Sequence, residues 1–203
     1  MVKEYMLSNI SKALNEGQFS SDIYLSLDGL QVDDDKLLLT IIVTDDNDEK
    51  LQEWEVTCTG LRNHKLDVNF FEEFEVLDEH IFLWEFNYNT ADLFFKGNIN
   101  DINGVIGELF IIHSNLAKGQ IPLEKYLNIN YYNVDIRHLL SQGEGLFSKG
   151  PVNLIKVYEK VLSENGYKTS IIEYPTKGST VYKIFVFGDS YVVAKDFQAF
   201  QVL

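Results

Sequence analysis

Residues 36–59 read KLLLTIIVTDDNDEKLQEWEVTCT, and this stretch decides the fold class. Apolar and β-branched residues dominate from Lys36 to Thr44, and apolar residues alternate with polar ones from Trp54 to Cys58, as in strands with one buried face. The segment between them, from Asp45 to Glu49, is wholly polar, which is typical of a hairpin loop. The stretch therefore predicts two antiparallel strands, 36–44 and 51–59, joined by a polar loop.

Neighbouring segments extend this hairpin into a meander. Alternating apolar residues predict further strands over 22–27, 66–70, 82–86 and 92–96. Antiparallel strands of this kind place one face on the core and the other in water, so we expect the carboxylates of the region to lie on the solvent face.

The period of the apolar residues changes to 3.6 in the middle of the chain. Apolar residues between Ile102 and Leu116 predict a helix that Asn100 or Asp101 caps. Gly104 and Gly107 lie inside this helix, where each costs roughly 1 kcal/mol relative to alanine. We therefore expect the helix backbone to approach the sheet closely at these glycines.

Further elements complete the prediction. Pro151 suits the first position of a helix that continues to Leu162. Shorter helices are predicted at two places, and strands return at the C-terminus, where Gly188 and Asp189 suit a two-residue hairpin turn. The predicted bounds are 2–16 and 134–140 for the shorter helices, and 167–174, 180–187 and 191–202 for the strands.

The order of the elements indicates the fold class. Strands, then helices, then strands, without regular β–α alternation, favour an α+β fold over a doubly wound sheet. We expect an antiparallel β-meander packed against two main helices, with a C-terminal β-hairpin. No Pro/Gly/Ser-rich linker is present, so residues 1–203 are predicted to form a single domain, with 1–118 and 119–203 as the alternative subdivision.

The net charge is concentrated in one part of the chain. Residues 28–101 hold 19 acidic and 5 basic residues, a net charge of −14, whereas the remaining residues hold 12 of each. Such a region attracts cationic partners and repels polyanions. Arg62 and Arg137 are the only arginines, and no basic patch is apparent, so nucleic-acid binding is disfavoured.

Composition suggests an ordinary globular protein. The sequence is 45% hydrophobic and 24% charged, so wholesale disorder is not expected. No run of 18 apolar residues predicts a membrane span, and the N-terminus lacks the pattern of an export signal. Cys58 is the single cysteine, so no disulfide framework or cysteine zinc cluster is expected, and its alternating context predicts a buried thiol. These features together favour a cytoplasmic address.

The densest polar cluster runs from Glu72 to His80. Carboxylates beside a histidine can bind a divalent metal or act in acid–base chemistry. Along a strand, however, Glu73 and Glu75 would point to one side and His80 to the other. We therefore predict a solvated acidic edge, with a docking surface and a metal or catalytic role as alternatives.

Two loops match ligand-binding motifs only in part. A calcium loop that began at Asp46 would need glycine where Leu51 stands, so residues 45–49 are predicted to be a polar hairpin tip, and Asp33–Asp35 a solvated turn. Residues 143–150 contain three glycines before a helix, as an anion-binding loop does. They lack the Gly-Lys-Ser/Thr ending of a P-loop, so we predict a flexible connection.

The four histidines show no metal-ligand spacing. Asp135 and His138 lie three residues apart, so their side chains could meet on one helical turn, and His113 is expected to be packed at the apolar face of its helix. No cofactor, metal or catalytic site is predicted.

The preferred functional hypothesis is a non-enzymatic acidic module that binds a basic protein partner through the meander. Trp54, Phe71 or Trp84 would anchor the contact if exposed. Small acidic α+β proteins of this kind include bacterial immunity proteins, which cover the active site of a toxin, so a toxin is one expected partner by analogy of class. The candidate partner-binding residues are Asp45, Asp46, Asp48, Glu53, Glu55, Glu72, Glu73 and Glu75.

Two alternatives remain open. The chain could be an orphan enzyme or a small-ligand binder, with a site in the connection 119–150 near Arg137, His138 and Lys149. It could also be a structural subunit of a larger complex. A deep apolar pocket with convergent polar groups would favour a ligand site, whereas an acidic surface without such a pocket would favour docking.

Overall fold

A computed structural model confirms the α+β class. Of the described residues, 47% lie in strands of antiparallel sheets and 28% are helical. The helix predicted over 2–16 lies outside the described residues, apart from Ile10, which is buried in a hydrophobic core. The structure describes residue 10 and residues 22–67, 70–71, 73–129, 135–175 and 181–202.

The described residues form twelve strands, four helices and two single turns of 3₁₀-helix, at 81–83 and 123–126. The helices are α1 (Trp84–Asn87), α2 (Ile102–Ala117), α3 (Ile136–Ser141) and α4 (Val152–Glu164). The strands are β1 (Ile23–Asp33), β2 (Lys36–Asp45), β3 (Lys50–Thr59), β4 (Asn63–Lys65), β5 (Phe70–Phe71), β6 (Phe74–Leu77), β7 (Thr90–Lys96), β8 (Glu144–Pro151), β9 (Lys168–Tyr174), β10 (Lys183–Phe187), β11 (Ser190–Ala194) and β12 (Asp196–Gln201).

The chain divides into two compact units. The sandwich unit comprises Met1–Leu83 and Thr180–Leu203, and the helical unit comprises Trp84–Ser179. The single domain predicted over residues 1–203 stays a prediction.

The sandwich unit contains two sheets with a shared core. The five-stranded sheet has the order β12-β3-β2-β1-β5, and the four-stranded sheet has the order β4-β11-β10-β6. Alternation along β3 turns Val56 and Cys58 into the core, where Phe185 and Phe187 of the smaller sheet also lie. The predicted burial of Cys58 is confirmed, and this burial raises the pKa of its thiol to about 12.

Both predicted hairpins are confirmed. Strands β2 and β3 pair in antiparallel register around the polar segment that follows Thr44. In the C-terminal hairpin, Phe187 pairs with Ser190, and Gly188 between them has a φ of 53°, which suits a glycine in a two-residue turn. Strand β1 extends beyond its predicted end to Asp33, and the acidic turn that follows leads into β2.

The strand predicted over 82–86 is wrong. Instead, the chain forms a 3₁₀ turn at Ile81–Leu83 and then α1. His80 explains the turn, because its Nδ1 accepts the N–H of Phe82 at 3.3 Å and its carbonyl accepts the N–H of Leu83 at 2.9 Å. Of the strand predicted over 66–70, residues 68 and 69 lie outside the described residues, and β5 begins at Phe70.

The helical unit contains the main described helices. Its sheet has the order β8-β7-β9, and α4 packs against all three strands. Helix α2 packs against α4 and α3. Strand β7 was predicted as part of the acidic meander. It is the strand of that meander against which α4 packs.

The flexible connection predicted over 143–150 is also wrong. Most of it is β8, in which Lys149 pairs with Asp92 and Leu146 pairs with Phe94 of β7. The buried side chains of Phe147 and Ser148 hold this segment in the sheet. The N–H of Val152 donates to the carbonyl of Asn89 at 2.8 Å, so an amide that an anion would need is already bonded.

The glycines of α2 do not bring the helix close to a sheet, contrary to expectation. Asp101 caps the helix by accepting the N–H of Gly104 at 2.9 Å, and a Cβ on Gly104 would lie 2.5 Å from that carboxylate. Gly104 therefore makes room for the cap. A Cβ on Gly107 would have no neighbour within 4 Å.

Candidate functional site

The charge asymmetry of the sequence coincides with the division into units. The sandwich unit contains 21 acidic and 8 basic residues, a net charge of −13, whereas the helical unit contains 10 and 9, a net charge of −1. Nearly all of the net charge of the chain therefore belongs to the sandwich unit. A field of one sign around this unit would attract cationic partners.

The two units also differ in how their carboxylates are paired. In the helical unit, lysines form ion pairs with Glu85, Glu144 and Glu173 at 2.7, 2.6 and 3.2 Å. In the sandwich unit, Asp78 pairs with Lys183 at 3.1 Å, and Glu53 pairs with Lys50. Within the part of the chain that the structure describes, no ion pair is formed by six of the candidate residues: Asp45, Asp46, Asp48, Glu55, Glu73 and Glu75.

The first group of candidate residues lies at the tip of the β2–β3 hairpin. Asp45 organises this tip, because its Oδ1 accepts the N–H groups of Asn47 and Glu49, both at 2.9 Å. The bond from the Glu49 N–H is the main reason why the pKa of Asp45 is lowered. Asp46 and Asp48 are exposed beside it, so Asp45 shapes the loop while its neighbours present charge.

The second group lies on β3. Because the side chains of a strand alternate, burial of Trp54 turns Glu53 and Glu55 to the opposite, solvent side of the five-stranded sheet. In the register of the sheet, Glu55 stands between Thr40 of β2 and Phe200 of β12, and Glu53 stands beside Ile42 of β2. Directly paired residues have Cβ atoms about 5 Å apart, so these side chains form one continuous surface.

Exposed aromatic residues flank the carboxylates on this surface. The exposed fractions are 67% for Phe70 and 58% for Phe200, and Phe70 meets Tyr24 edge to face with ring centres 6.3 Å apart. We use the term outer sheet face for the set Tyr24, Thr40, Ile42, Glu53, Glu55, Phe70 and Phe200.

The aromatic anchors chosen from the sequence are different residues. Trp54 and Phe71 are buried in the core, so they do not meet the condition of exposure on which their role as anchors depended, and Trp84 of the helical unit is half-buried. The alternation of side chains along β3 indicates this burial, because Trp54 and Val56 are two residues apart and therefore point to the same side of the strand. By the same rule, one residue of the pair Phe70-Phe71 had to face outward.

The third group of candidate residues lies on the other sheet. Phe74 and Val76 of β6 pack against the core, so Glu75 points away from it on the four-stranded sheet. Glu73 precedes the strand and is exposed, and Glu72 lies outside the described residues. The candidates from Asp45 to Glu55 thus belong to one hairpin of the five-stranded sheet. Glu75 lies on the other sheet and Glu73 just before its strand, so neither belongs to the face that Glu53 and Glu55 share.

The alternative site in 119–150 has its charged groups engaged in local contacts. Arg137 donates to the side-chain oxygen of Asn103, and Lys149 pairs with Asp92 at 3.5 Å. Asp135 accepts the backbone N–H of His138 at 2.7 Å as the cap of α3. The Asp135 carboxylate, whose spacing would also allow it to meet the imidazole of His138, thus serves as a helix cap.

A buried histidine and tyrosine form the most internal polar contact of the helical unit. The Nε2–H of His113 donates to the carbonyl of Ile121 at 2.8 Å, so its Nδ1 accepts the hydroxyl of Tyr158 at 2.7 Å. Burial, and secondarily the charge of Glu124, raises the pKa of Tyr158. The predicted packing of His113 is confirmed, and the pair satisfies polar groups within the core.

A pocket of about 420 Å³ lies at one end of the sheet of the helical unit and is widely open to solvent. Lys96 and Glu144 pair at 2.6 Å in its lining, which raises the pKa of Lys96 and lowers that of Glu144. The lining contains no histidine, aspartate or arginine, so it lacks the convergent groups that would favour the ligand-binding alternative: it consists of Phe94, Phe95, Lys96, Glu144, Gly145, Lys168, Thr169 and Ser170.

Among the described residues, no group of three His, Cys, Asp or Glu side chains is arranged to hold a metal ion. None of the helices in the same ranges is long and apolar enough to cross a membrane. Comparison with models of known protein families, with curated proteins and with solved structures found no match.

Proposed function

We propose that this chain is a non-enzymatic acidic module that binds a basic protein partner through the sandwich unit. The observation that supports this function best is the division of charge, −13 in the sandwich unit against −1 in the helical unit. A cationic partner approaching this chain would be drawn to one unit, since the other is nearly neutral.

The outer sheet face and the adjacent hairpin tip are the proposed docking surface. Protein interfaces combine aromatic anchors with a polar rim, and this surface offers Phe70 and Phe200 as exposed aromatics. Glu55 stands directly beside Phe200 in the register of the sheet and makes no ion pair within the described ranges. An arginine or lysine of the partner could therefore pair with Glu55 while an apolar group covers Phe200.

The partner class follows from this chemistry. A basic protein surface is attracted by Asp46 and Asp48 before contact, and this attraction is strong only at low ionic strength, because the screening length is about 10 Å at 0.1 M salt. A cationic toxin domain that the module neutralises, in the manner of a bacterial immunity protein, is the narrower form of the proposal.

Kinetics with a partner captured from the native cell test the docking surface. The variant Asp48→Lys/Glu53→Lys/Glu55→Lys should associate roughly tenfold or more slowly than wild type at 20 mM salt, and the difference should shrink at 300 mM. Phe200→Ala should instead accelerate dissociation, because the residue acts only after contact is made.

A matched control separates a docking surface from net charge alone. The variant Glu73→Lys/Glu75→Lys/Asp189→Lys changes the charge by the same amount on exposed residues outside the outer sheet face and the hairpin tip. We expect it to keep most of the wild-type association rate. Equal losses in both triple variants would contradict this docking surface, and unchanged rates in both would contradict electrostatic docking altogether.

A further inference from the structure

The sheet of the helical unit covers one of its two edges with its own chain. Along the outer edge of β8, the N–H of Asn128 donates to the carbonyl of Phe147 at 2.9 Å, and the Asn128 side chain donates to the carbonyl of Leu146 at 3.2 Å. Leu127 forms a bridge with Ser148 beside them. This edge is therefore closed to further strands, as the edges of native sheets often are.

The other edge, strand β9, is open within the part of the chain that the structure describes. Strand β9 pairs with β7 through seven consecutive residues without a bulge. No described residue outside β7 forms a backbone hydrogen bond with Lys168–Tyr174, and this segment contains no proline. A regular edge strand that lacks both a bulge and a proline is a template for pairing with another strand.

The register identifies the backbone groups that are unpaired at this edge. Gly97 directly follows β7, and its N–H donates to the carbonyl of Gly143 at 2.7 Å, so odd-numbered residues of β7 bond to β8 and even-numbered ones bond to β9. Even-numbered residues of β7 stand opposite even-numbered residues of β9. The N–H and C=O groups of Thr169, Ile171 and Glu173 therefore point away from the sheet.

An antiparallel second copy of β9 satisfies all of these groups. If a two-fold axis passes through Ile171, this residue stands opposite its own copy, and Thr169 stands opposite Glu173 of the other copy. Each such pair exchanges two hydrogen bonds. A shift of the register by two residues in either direction leaves one of the three residues without a partner in β9. The edge therefore matches itself in one best register, as isologous contacts require.

Side chains on the side of the sheet opposite α4 fit the same register. Lys168 lies directly beside Tyr174 of the other copy, where its ammonium group can contact the ring. Ser170 lies beside Ile172, and the two Ile172 side chains become diagonal neighbours. The exposed fractions of Ile172 and Tyr174 are 48% and 44%, so pairing covers apolar surface. The two lysines lie at opposite ends of the joined strands and do not repel each other closely.

Charges on the side that faces α4 balance at each end of the joined strands. Glu173 of one copy approaches Glu159 of the other, because Glu159 accepts the hydroxyl of Thr169 at 2.7 Å. Lys156 pairs with Glu173 at 3.2 Å, and the exposed Lys160 follows Glu159 on α4. Each end thus brings together two acids and two lysines.

Net charge favours β9 over the edges of the sandwich unit. Strand β12 also lies at the end of its sheet, but its pairing with a second copy would bring together two units that each carry −13, whereas each helical unit carries only −1. The edge strands β4, β5 and β6 are three, two and four residues long, too short for a stable pairing of their own.

We infer that β9 is a homodimer interface, in which two copies join their three-stranded sheets into one continuous sheet. Because the β8 edge is covered, this association ends at two copies. The chain has a net charge of −14, so two copies repel each other at long range and salt should strengthen their association. Docking of a basic partner has the opposite salt dependence, so the two proposals can fail independently.

Sedimentation equilibrium of the full chain tests the interface. Wild type should show a monomer–dimer equilibrium in roughly the micromolar range, tighter at about 500 mM than at about 50 mM NaCl. Glu173→Pro should weaken dimerisation roughly tenfold or more, because proline lacks the outward N–H and its ring occupies the space of the second strand. Glu173→Ala is the matched control, since it loses the same side chain and keeps the N–H. It should dimerise within about twofold of wild type.

Cysteine crosslinking tests the register. Opposed residues of a hydrogen-bonded pair have Cα atoms about 5.5 Å apart, a distance that a disulfide spans. Ile171→Cys should therefore form a linked dimer under mild oxidation, and Cys58 should not compete, because it is buried. The matched control is Ile172→Cys, whose two copies would be diagonal neighbours about 7–8 Å apart. It should crosslink roughly tenfold more slowly.

Three results would overturn the inference. The first is a wild-type chain that stays monomeric at several hundred micromolar in both salts. The second is a dimer that Glu173→Pro weakens no more than Glu173→Ala does. The third is crosslinking of Ile172→Cys at least as fast as that of Ile171→Cys.

Discussion

The sandwich unit and the helical unit differ in their net charge and in how many of their carboxylates form ion pairs. In the helical unit acids and bases nearly balance, and lysines lie within ion-pairing distance of Glu85, Glu144 and Glu173. In the sandwich unit acids outnumber bases by 13. The described carboxylates at the hairpin tip and on β3 find one lysine, Lys50.

The net charge of a chain can therefore be a property of one part of its fold. Exposed ion pairs contribute little to stability, so the pairing in the helical unit matters chiefly because it removes that surface as a target for cations. The unpaired carboxylates of the sandwich unit leave its field intact. Substitutions, pH and salt should therefore affect the two units differently.

The largest expected effect comes from the core of the sandwich unit. Phe197 is fully buried, with its ring 5.9 Å from that of Phe185, so Phe197→Ala should cost about 3–5 kcal/mol of unfolding free energy. Hydrogen exchange followed by mass spectrometry should show lost protection in β3 and β12, with α4 protected as before.

Leu154→Ala is the matched change in the helical unit, because Leu154 is equally buried in α4. It should produce the reverse pattern at a cost of about 2–5 kcal/mol. If either variant deprotects both units to the same extent, the two units unfold as one cooperative domain and the comparison fails.

A smaller effect should appear in alkali, through Cys58. Its thiol has a pKa of about 12 in the folded chain against an ordinary 9.0, so between these values the unfolded chain releases a proton that the folded chain keeps. The resulting stabilisation is complete below pH 9 and is lost as the pH rises toward 12. Between pH 9 and 11, wild type should lose roughly 2 kcal/mol more than Cys58→Ala.

Urea titrations measure this difference through Trp54, in a Trp84→Phe background that leaves it as the only tryptophan. The tyrosines are common to both proteins, so their titration cancels in the comparison. Parallel pH profiles for the two proteins, or rapid modification of the folded thiol at pH 8, would contradict the burial of Cys58.

The smallest effect concerns salt. Raising NaCl from 0.02 to 0.5 M screens the repulsion among the carboxylates of the sandwich unit, so its unfolding free energy should rise by on the order of 1 kcal/mol. The helical unit, with a net charge of −1, should change much less. Hydrogen exchange at the two salt concentrations measures both units in one sample, and equal gains would show that the unpaired charges do not repel one another appreciably.

Local signals in the sequence were sufficient for much of the fold. The two hairpins were predictable because alternation and a polar or glycine turn lie within a few residues of each other. Helices α2 and α4 were predictable from their apolar period and from residues near their ends, such as Asp101 and Pro151.

The failures came from interactions that alternation and composition do not report. The run Phe82, Trp84 and Phe86 alternates like a strand, but hydrogen bonds to His80 close the backbone into a turn. The glycines of 143–150 suggested a loop, whereas pairing with β7 and the burial of Phe147 hold this segment in a sheet.

The candidate site was predictable in its charge and not in its arrangement. Glu55 and Glu75 lie in the same acidic stretch, yet β3 joins one sheet and β6 joins the other through β10, more than a hundred residues later. Phe200 is even more remote in sequence from Glu55, its neighbour in the sheet. Such long-range pairings leave no trace in local sequence patterns.

The sandwich unit is built from two separate stretches of the chain. This has a consequence for the growing chain on the ribosome. Strand β3 pairs with β12, where Phe197 stands opposite Cys58, so that edge of β3 stays uncovered until synthesis has passed β12. At typical translation rates this interval is roughly ten to thirty seconds, and the helical unit is synthesised within it. An open strand edge invites pairing with a neighbouring nascent chain. Because the carboxylates that flank β3 repel like charges, we expect them to oppose this pairing before the sandwich unit has folded.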